Sequence, residues 1–82
     1  MDGKEAVVFC GALEETSLPL LAELDLNNNP LGEEGAAAFA AALTAGKFPA
    51  VKILHVQNTG IGARGNSLLR GAKAKREGLQ II

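Results

Sequence analysis

Residues 21–43, "LAELDLNNNPLGEEGAAAFAAAL", lie over residues 51–73, "VKILHVQNTGIGARGNSLLRGAK", at a shift of 30 and without a gap. Leu21, Leu24 and Leu26 fall on Val51, Leu54 and Val56. Leu31 falls on Ile61, Gly32 on Gly62, Gly35 on Gly65 and Phe39 on Leu69. Seven positions of matching character at one fixed shift are far more than chance supplies. The shift also works backwards, with "FCGALEETSLPLLAEL" (9–24) over "FAAALTAGKFPAVKIL" (39–54). Phe9 then meets Phe39, Leu13 meets Leu43, Leu18 meets Phe48 and Pro19 meets Pro49. At the end, "LQII" (79–82) overlies "VKIL" (51–54) at a spacing of 28 and reads as the start of a third strand. Self-similarity at such a period marks stacked supersecondary units, each too small to bury its apolar face alone.

Each unit is spelled L-x-x-L-x-L-x-x-N-x-L, then G-x-x-G and a helix. Over essentially the whole chain this resembles the leucine-rich repeats of the ribonuclease-inhibitor type. The resemblance implies an α/β solenoid, with short parallel strands on its concave side and helices on its convex side. It divides a single module, 1–82, into an N-terminal helix at about 4–15, a first repeat at about 21–50 and a second at about 51–78. A third strand begins at 79–82. Alternation along a strand sends Leu24, Leu26, Leu54 and Val56 inward. It turns Glu23, Asp25, Asn27, Ile53, His55 and Gln57 toward the open concave face, where the resemblance places partner contacts. Asn29 stands where the family uses an asparagine amide to satisfy backbone groups of adjacent turns. Thr59 replaces it in the second repeat and bonds over a shorter reach.

The spelling Gly60-x-Gly62-x-x-Gly65 also matches a dinucleotide-binding loop. The repeat argues against that function. Pro30 occupies the position of Gly60 one repeat earlier, so only two of the three glycines recur. Gly32 and Gly62 mark the turn out of the strand. Gly35 and Gly65 open the helix, where a missing Cβ permits a close neighbour. A dinucleotide site also wants an acid at the end of the next strand, and the sequence stops at Ile82, inside that strand.

The helices are written mainly in alanine. Glu33 and Glu34 suit the N-terminus of the second helix, while Gly35, Phe39, Ala42 and Leu43 share one face. Ala6, Phe9, Cys10 and Leu13 repeat that face in the first, so Cys10 reads as a small buried apolar residue. The last helix keeps Gly65, Leu68, Leu69 and Ala72, but Asn66, Arg70 and Lys73 replace Ala36, Ala40 and Leu43. That narrower apolar face fits a position near the end of the stack.

The 82 residues are 48% hydrophobic but only 4% aromatic, so many small side chains must build the core. A lone cysteine excludes an internal disulfide, makes a cysteine metal cluster implausible and fits a reducing, intracellular and cytoplasmic setting. No apolar run approaches the roughly 20 residues of a membrane span, and "MDGKEAVVFCGAL" does not read as a secretory signal. Charge is sorted along the chain: residues 1–35 sum to −7 and residues 36–82 to +6, within a total of −1. The polarity points to partner contact at a basic end formed by Arg70, Lys73, Lys75 and Arg76. Nucleic acid is disfavoured because no aromatics interleave with "KAKR".

Catalysis finds no foothold. His55 is the only histidine, and its counterpart one repeat earlier, Asp25, forms a surface pair with it rather than a site. The expected function is a protein–protein interaction or scaffold module without cofactor, nucleotide or metal. The alternatives are a structural subunit or fragment of a large complex and, more remotely, part of a leucine-rich repeat GTPase-activating protein. Two units and an unfinished third are expected to be completed by a longer chain or a partner. The apolar edge at 79–82 and the opposed charges favour a heterologous contact, with a partner or a second copy. Titration with nicotinamide and flavin nucleotides is expected to give no saturable signal; a signal lost in Gly60→Val would restore the dinucleotide reading.

Overall fold

A computed structural model describes residues 1–14 and 18–82. Among them, helices α1 (Gly3–Ala12), α2 (Gly32–Thr44) and α3 (Gly62–Lys75) alternate with strands β1 (Glu23–Asp25), β2 (Ile53–His55) and β3 (Gln80–Ile81). The strands form one parallel sheet in the order β1-β2-β3, so each adjacent pair is joined through a crossover helix. α1 packs on α2 and α2 on α3. The molecule is thus a small α/β domain of three helices and a three-stranded parallel sheet.

The period of 30 is written in the backbone as well as in the side chains. Glu23, Leu24 and Asp25 pair with Ile53, Leu54 and His55. Left-handed φ angles recur at the same interval: Leu18 (+50°) and Phe48 (+54°), Asn28 (+64°) and Asn58 (+56°), Gly32 (+63°) and Gly62 (+68°). Asparagine and glycine accept this region cheaply, whereas leucine and phenylalanine do not. For Phe48 the strain is offset by burial of its ring, which leaves 1% of the residue exposed.

α1 is tied down by a capping box. Asp2 Oδ1 accepts from the Glu5 amide at 2.8 Å, and Glu5 Oε1 accepts from the Asp2 amide at 2.9 Å. The helix stops at Ala12, just past Gly11, where Leu13 turns extended. It is therefore shorter than the expected 4–15, whose last residue lies outside the described ones. α2 and α3 have no side-chain cap and are preceded by Leu31 and Ile61, both buried. An added Cβ on Gly65 would come within 3.0 Å of Ala36 Cβ, and one on Gly35 within 3.5 Å of Gly3 Cα. These two glycines let the helices lie close together.

Leu26 and Leu54 are buried, while Leu24 and Val56 are half-buried against the same core. The inward row is thus less continuous than its spelling implies. Leu24 lies on an edge strand, and Val56 lies just past β2, where its amide meets only the Ile82 carbonyl at 2.8 Å. Asn29 Nδ2 donates to the carbonyls of Leu26 (3.0 Å) and Asn27 (3.2 Å). Thr59 makes the corresponding single bond, to Val56 at 2.7 Å.

The third strand corrects the spacing of 28. Gln80 pairs with Ile53 and Ile81 with Leu54, a shift of 27. The cause is the connection after the helix. Eight residues, 45–52, link α2 to β2, but four, 76–79, link α3 to β3. A slip of one residue exchanges the faces of a strand, so Ile81, not Ile82, points inward beside Leu54.

Leu54→Ala is expected to cost roughly 2–5 kcal/mol, whereas Asp25→Ala should cost about 1 kcal/mol or less as an exposed change. Urea unfolding of both variants checks the register; the reverse ranking would show that it is off by one residue.

Candidate functional site

Glu23 and Asp25 on β1 stand beside Ile53 and His55 on β2, on the face of the sheet opposite Leu24 and Leu54. The two acids are exposed, and Ile53 and His55 are half-buried. Asp25 and His55 are partners in register, as their matching positions predict, yet the close approach is diagonal. His55 Nε2 lies 3.5 Å from Glu23 Oε1. Asp25 Oδ1 instead accepts from the Asn27 amide at 2.9 Å. His55 Nε2 is shielded from solvent and completes no hydrogen bond, so its approach to Glu23 is an unmade contact that a small shift of either side chain would close.

Asn27 does more than face outward. Its Oδ1 accepts from the Gln57 amide at 2.6 Å, and Asn28 Oδ1 accepts from Asn58 Nδ2 at 3.1 Å. These bonds cross from one repeat to the next, and the Gln57 side chain is itself exposed. Gln80, beside Ile53, extends the open face onto β3. The sequence reading missed it because the 28-residue overlay puts Ile81 there; the shorter "REGL" connection was the available signal.

The four basic residues expected to form one surface divide. Arg70, Lys73 and Lys75 are exposed on α3. Arg76 is half-buried and turned back onto the previous unit. Its Nη1 donates to the carbonyls of Leu43 (3.1 Å) and Lys47 (2.8 Å), and its Nη2 to those of Phe48 (2.7 Å) and Val51 (3.4 Å). A guanidinium there answers the orphan carbonyls and negative dipole at the end of α2. Lys47 acts likewise one unit earlier, its Nζ donating to the Cys10 carbonyl at 2.6 Å.

The apolar edge expected at 79–82 is largely covered. Leu79 is 3% exposed, Ile81 packs on the core, and only Ile82 is substantially open. The most exposed apolar side chains lie elsewhere: Val8 on α1 is 71% and Leu20, ahead of β1, 90% exposed.

Among the described residues no group of three or more His, Cys, Asp or Glu is placed to hold a metal ion. No described helix is long and apolar enough to cross a membrane. Comparisons with family models, curated proteins and solved structures find no match to this chain.

Cys10 is buried, and burial pushes its thiol from 9.0 up to about 11, against the opposing pull of Lys47. The folded state therefore keeps a proton that the unfolded state loses first. Stability should be unaffected below pH 9 and fall as pH rises from 9 toward 11, by roughly 1–3 kcal/mol for this group. Cys10→Ala should flatten that part of the curve, as read by urea unfolding at stepped pH. In the native protein the thiol should resist alkylation at neutral pH.

Proposed function

We propose that this chain is a protein-interaction or scaffold module of the ribonuclease-inhibitor-like leucine-rich repeat kind, with no catalysis of its own. The observation that carries the reading is the open face of the sheet. Glu23, Asp25, Ile53 and His55 project from paired strands, with Gln57 just beyond, and the turns after the strands are bridged by Asn27 and Asn28. A rigid backbone presenting mixed acidic, apolar and amide groups costs little ordering entropy on binding. The half-buried Ile53 and His55 supply an apolar centre, and the exposed acids a polar rim. Such a face fits a protein surface with a small apolar projection flanked by basic side chains. A role as a subunit of a larger assembly is favoured by a separate observation, the exposure of Val8 on α1 and of Leu20 ahead of β1. An intracellular, cytoplasmic setting agrees with the single reduced thiol.

The test places a photo-crosslinking side chain at Gln57 on the open face and, separately, at Ala41 on the exposed side of α2. A partner should be captured from Gln57 and not from Ala41. Its binding, remeasured with purified components, should weaken at least about tenfold in a variant carrying Asp25→Lys and His55→Asp, the effect of losing one or two central contacts. Equal capture from both positions, or binding unchanged in that variant, would defeat the open-face reading.

A further inference from the structure

We propose that the α1 end of this domain receives the α3 end of a second copy, so that copies join head to tail. The contact is separate from the open face and does not depend on what binds there.

The sheet supplies the first ground. β1 and β3 are its two edges, and all pairing within it is parallel. A second copy displaced along the row brings its β3 beside β1 in that same parallel sense. Each edge strand offers an unpaired row of backbone groups. Two β1 edges meeting about a two-fold axis would pair antiparallel and set Glu23 and Asp25 against themselves.

The helices supply the second. Where α2 meets α3, the facing positions are small: Gly65 lies against Ala36, and Ala40 and Ala72 line the groove between the helices. Thirty residues from these, at the outer flanks of the row, stand different residues. Glu5 takes the place of Gly35 on α1, and Asn66, Arg70 and Lys73 take the places of Ala36, Ala40 and Leu43 on α3. All four are exposed. Stacking two copies in the register of the internal junctions brings Glu5 over Asn66 and Arg70. The departures from the small-residue pattern are thus opposite in charge on the two sides of one junction.

Apolar cover supplies the third. Val8 occupies the position of Ala38 and Leu68, and Leu18 that of Phe48, all three of which pack inward or are half-buried. Val8 and Leu18, by contrast, are exposed. The aliphatic stems of Arg70 and Lys73 can lie across them while their charges reach Asp2 and Glu5, past Lys4, which lines the same patch as Val8 and Glu5. Such a junction is looser than an internal one, since Glu5 and Asn66 hold the helices apart, and it weakens with salt.

Sedimentation of the purified chain at low and high salt, with two end variants, tests this. Val8→Lys with Leu18→Lys alters the α1 end, and Arg70→Glu with Lys73→Glu alters the α3 end. All four positions are exposed, and circular dichroism melts confirm folding. The parent should show concentration-dependent association at low salt and fall toward its 8.4 kDa mass at high salt. Each variant alone should remain monomeric, and an equal mixture of the two should associate again. A monomeric parent at low salt would overturn the proposal, as would a mixture that stays monomeric. Either variant dimerising alone would show a two-fold contact between like ends, and would overturn it too.

Discussion

The ring of Phe48 lies 6.2 Å from that of Phe9 and 6.1 Å from that of Phe39, which are themselves 6.3 Å apart. With no tryptophan or tyrosine in the chain, these three rings are its whole aromatic content, and all of it meets at one point. One ring comes from α1, one from α2 and one from the connection between α2 and β2. The cluster therefore fixes both helices and the entry to the central strand at once. Rings at such separations contribute about 0.5–1.5 kcal/mol per pair beyond their area burial. In an alanine-built core that is a large local share. It is also what sustains the left-handed backbone of Phe48, a conformation a bulky residue does not hold unaided.

The connection carrying Phe48 is held from outside by the unit that follows. Arg76 gathers the carbonyls of Leu43, Lys47, Phe48 and Val51, which spans the connection from helix end to strand entry. Lys47, inside the same connection, closes the end of α1. The C-terminal ends of α1 and α2 thus each receive a cation from the next unit, and at α2 it adds to a local glycine cap, in which the left-handed Gly46 donates its amide to Leu43 and Lys47 its amide to Ala42. Coupling between units runs through these long side chains as well as through packing. A change at Arg76 should be felt at Phe48 and hence at α1, two units away in sequence.

Much of this was legible in the sequence, because a period repeats its own evidence. Leu54, Leu43 and Phe39 are buried where their matches place them, and the glycines at 35 and 65 are the close-contact points their recurrence indicates. What the period could not give is anything that happens once. The third strand follows a connection four residues shorter, so its register had to come from geometry, not from alignment. Arg76 looked like surface charge because a cation that reaches back some thirty residues leaves no local signature. Asp25 and His55 share a register, as their equivalence indicates, but the choice of Glu23 as the nearer carboxylate depends on side-chain reach. Asn27 was legible as outward-facing and not as a bridge, since its bond is to a backbone amide.

The two ends of the row are finished differently, and the difference lies in which position of the repeat faces outward. On α3 the outward positions are those that bury Ala36, Ala40 and Leu43 one unit earlier, and polar replacements there leave Leu69, Ala72 and Leu79 fully covered. On α1 the outward positions are those of Gly35 and Ala38, and the chain keeps Val8 there beside Glu5. A polar substitution at the α3 end costs nothing in the core beneath it, because the inward face of that helix is a separate set of residues. An apolar residue at the α1 end brings no comparable benefit to the isolated domain, since Val8 is mostly in water. Its contribution appears only when something lies against it; of the charged groups beside it, Asp2 and Glu5 favour a basic surface for that role and Lys4 opposes it. Among the described surfaces, the outer flank of α3 is basic, exposed and at the positions that meet the next helix one unit earlier.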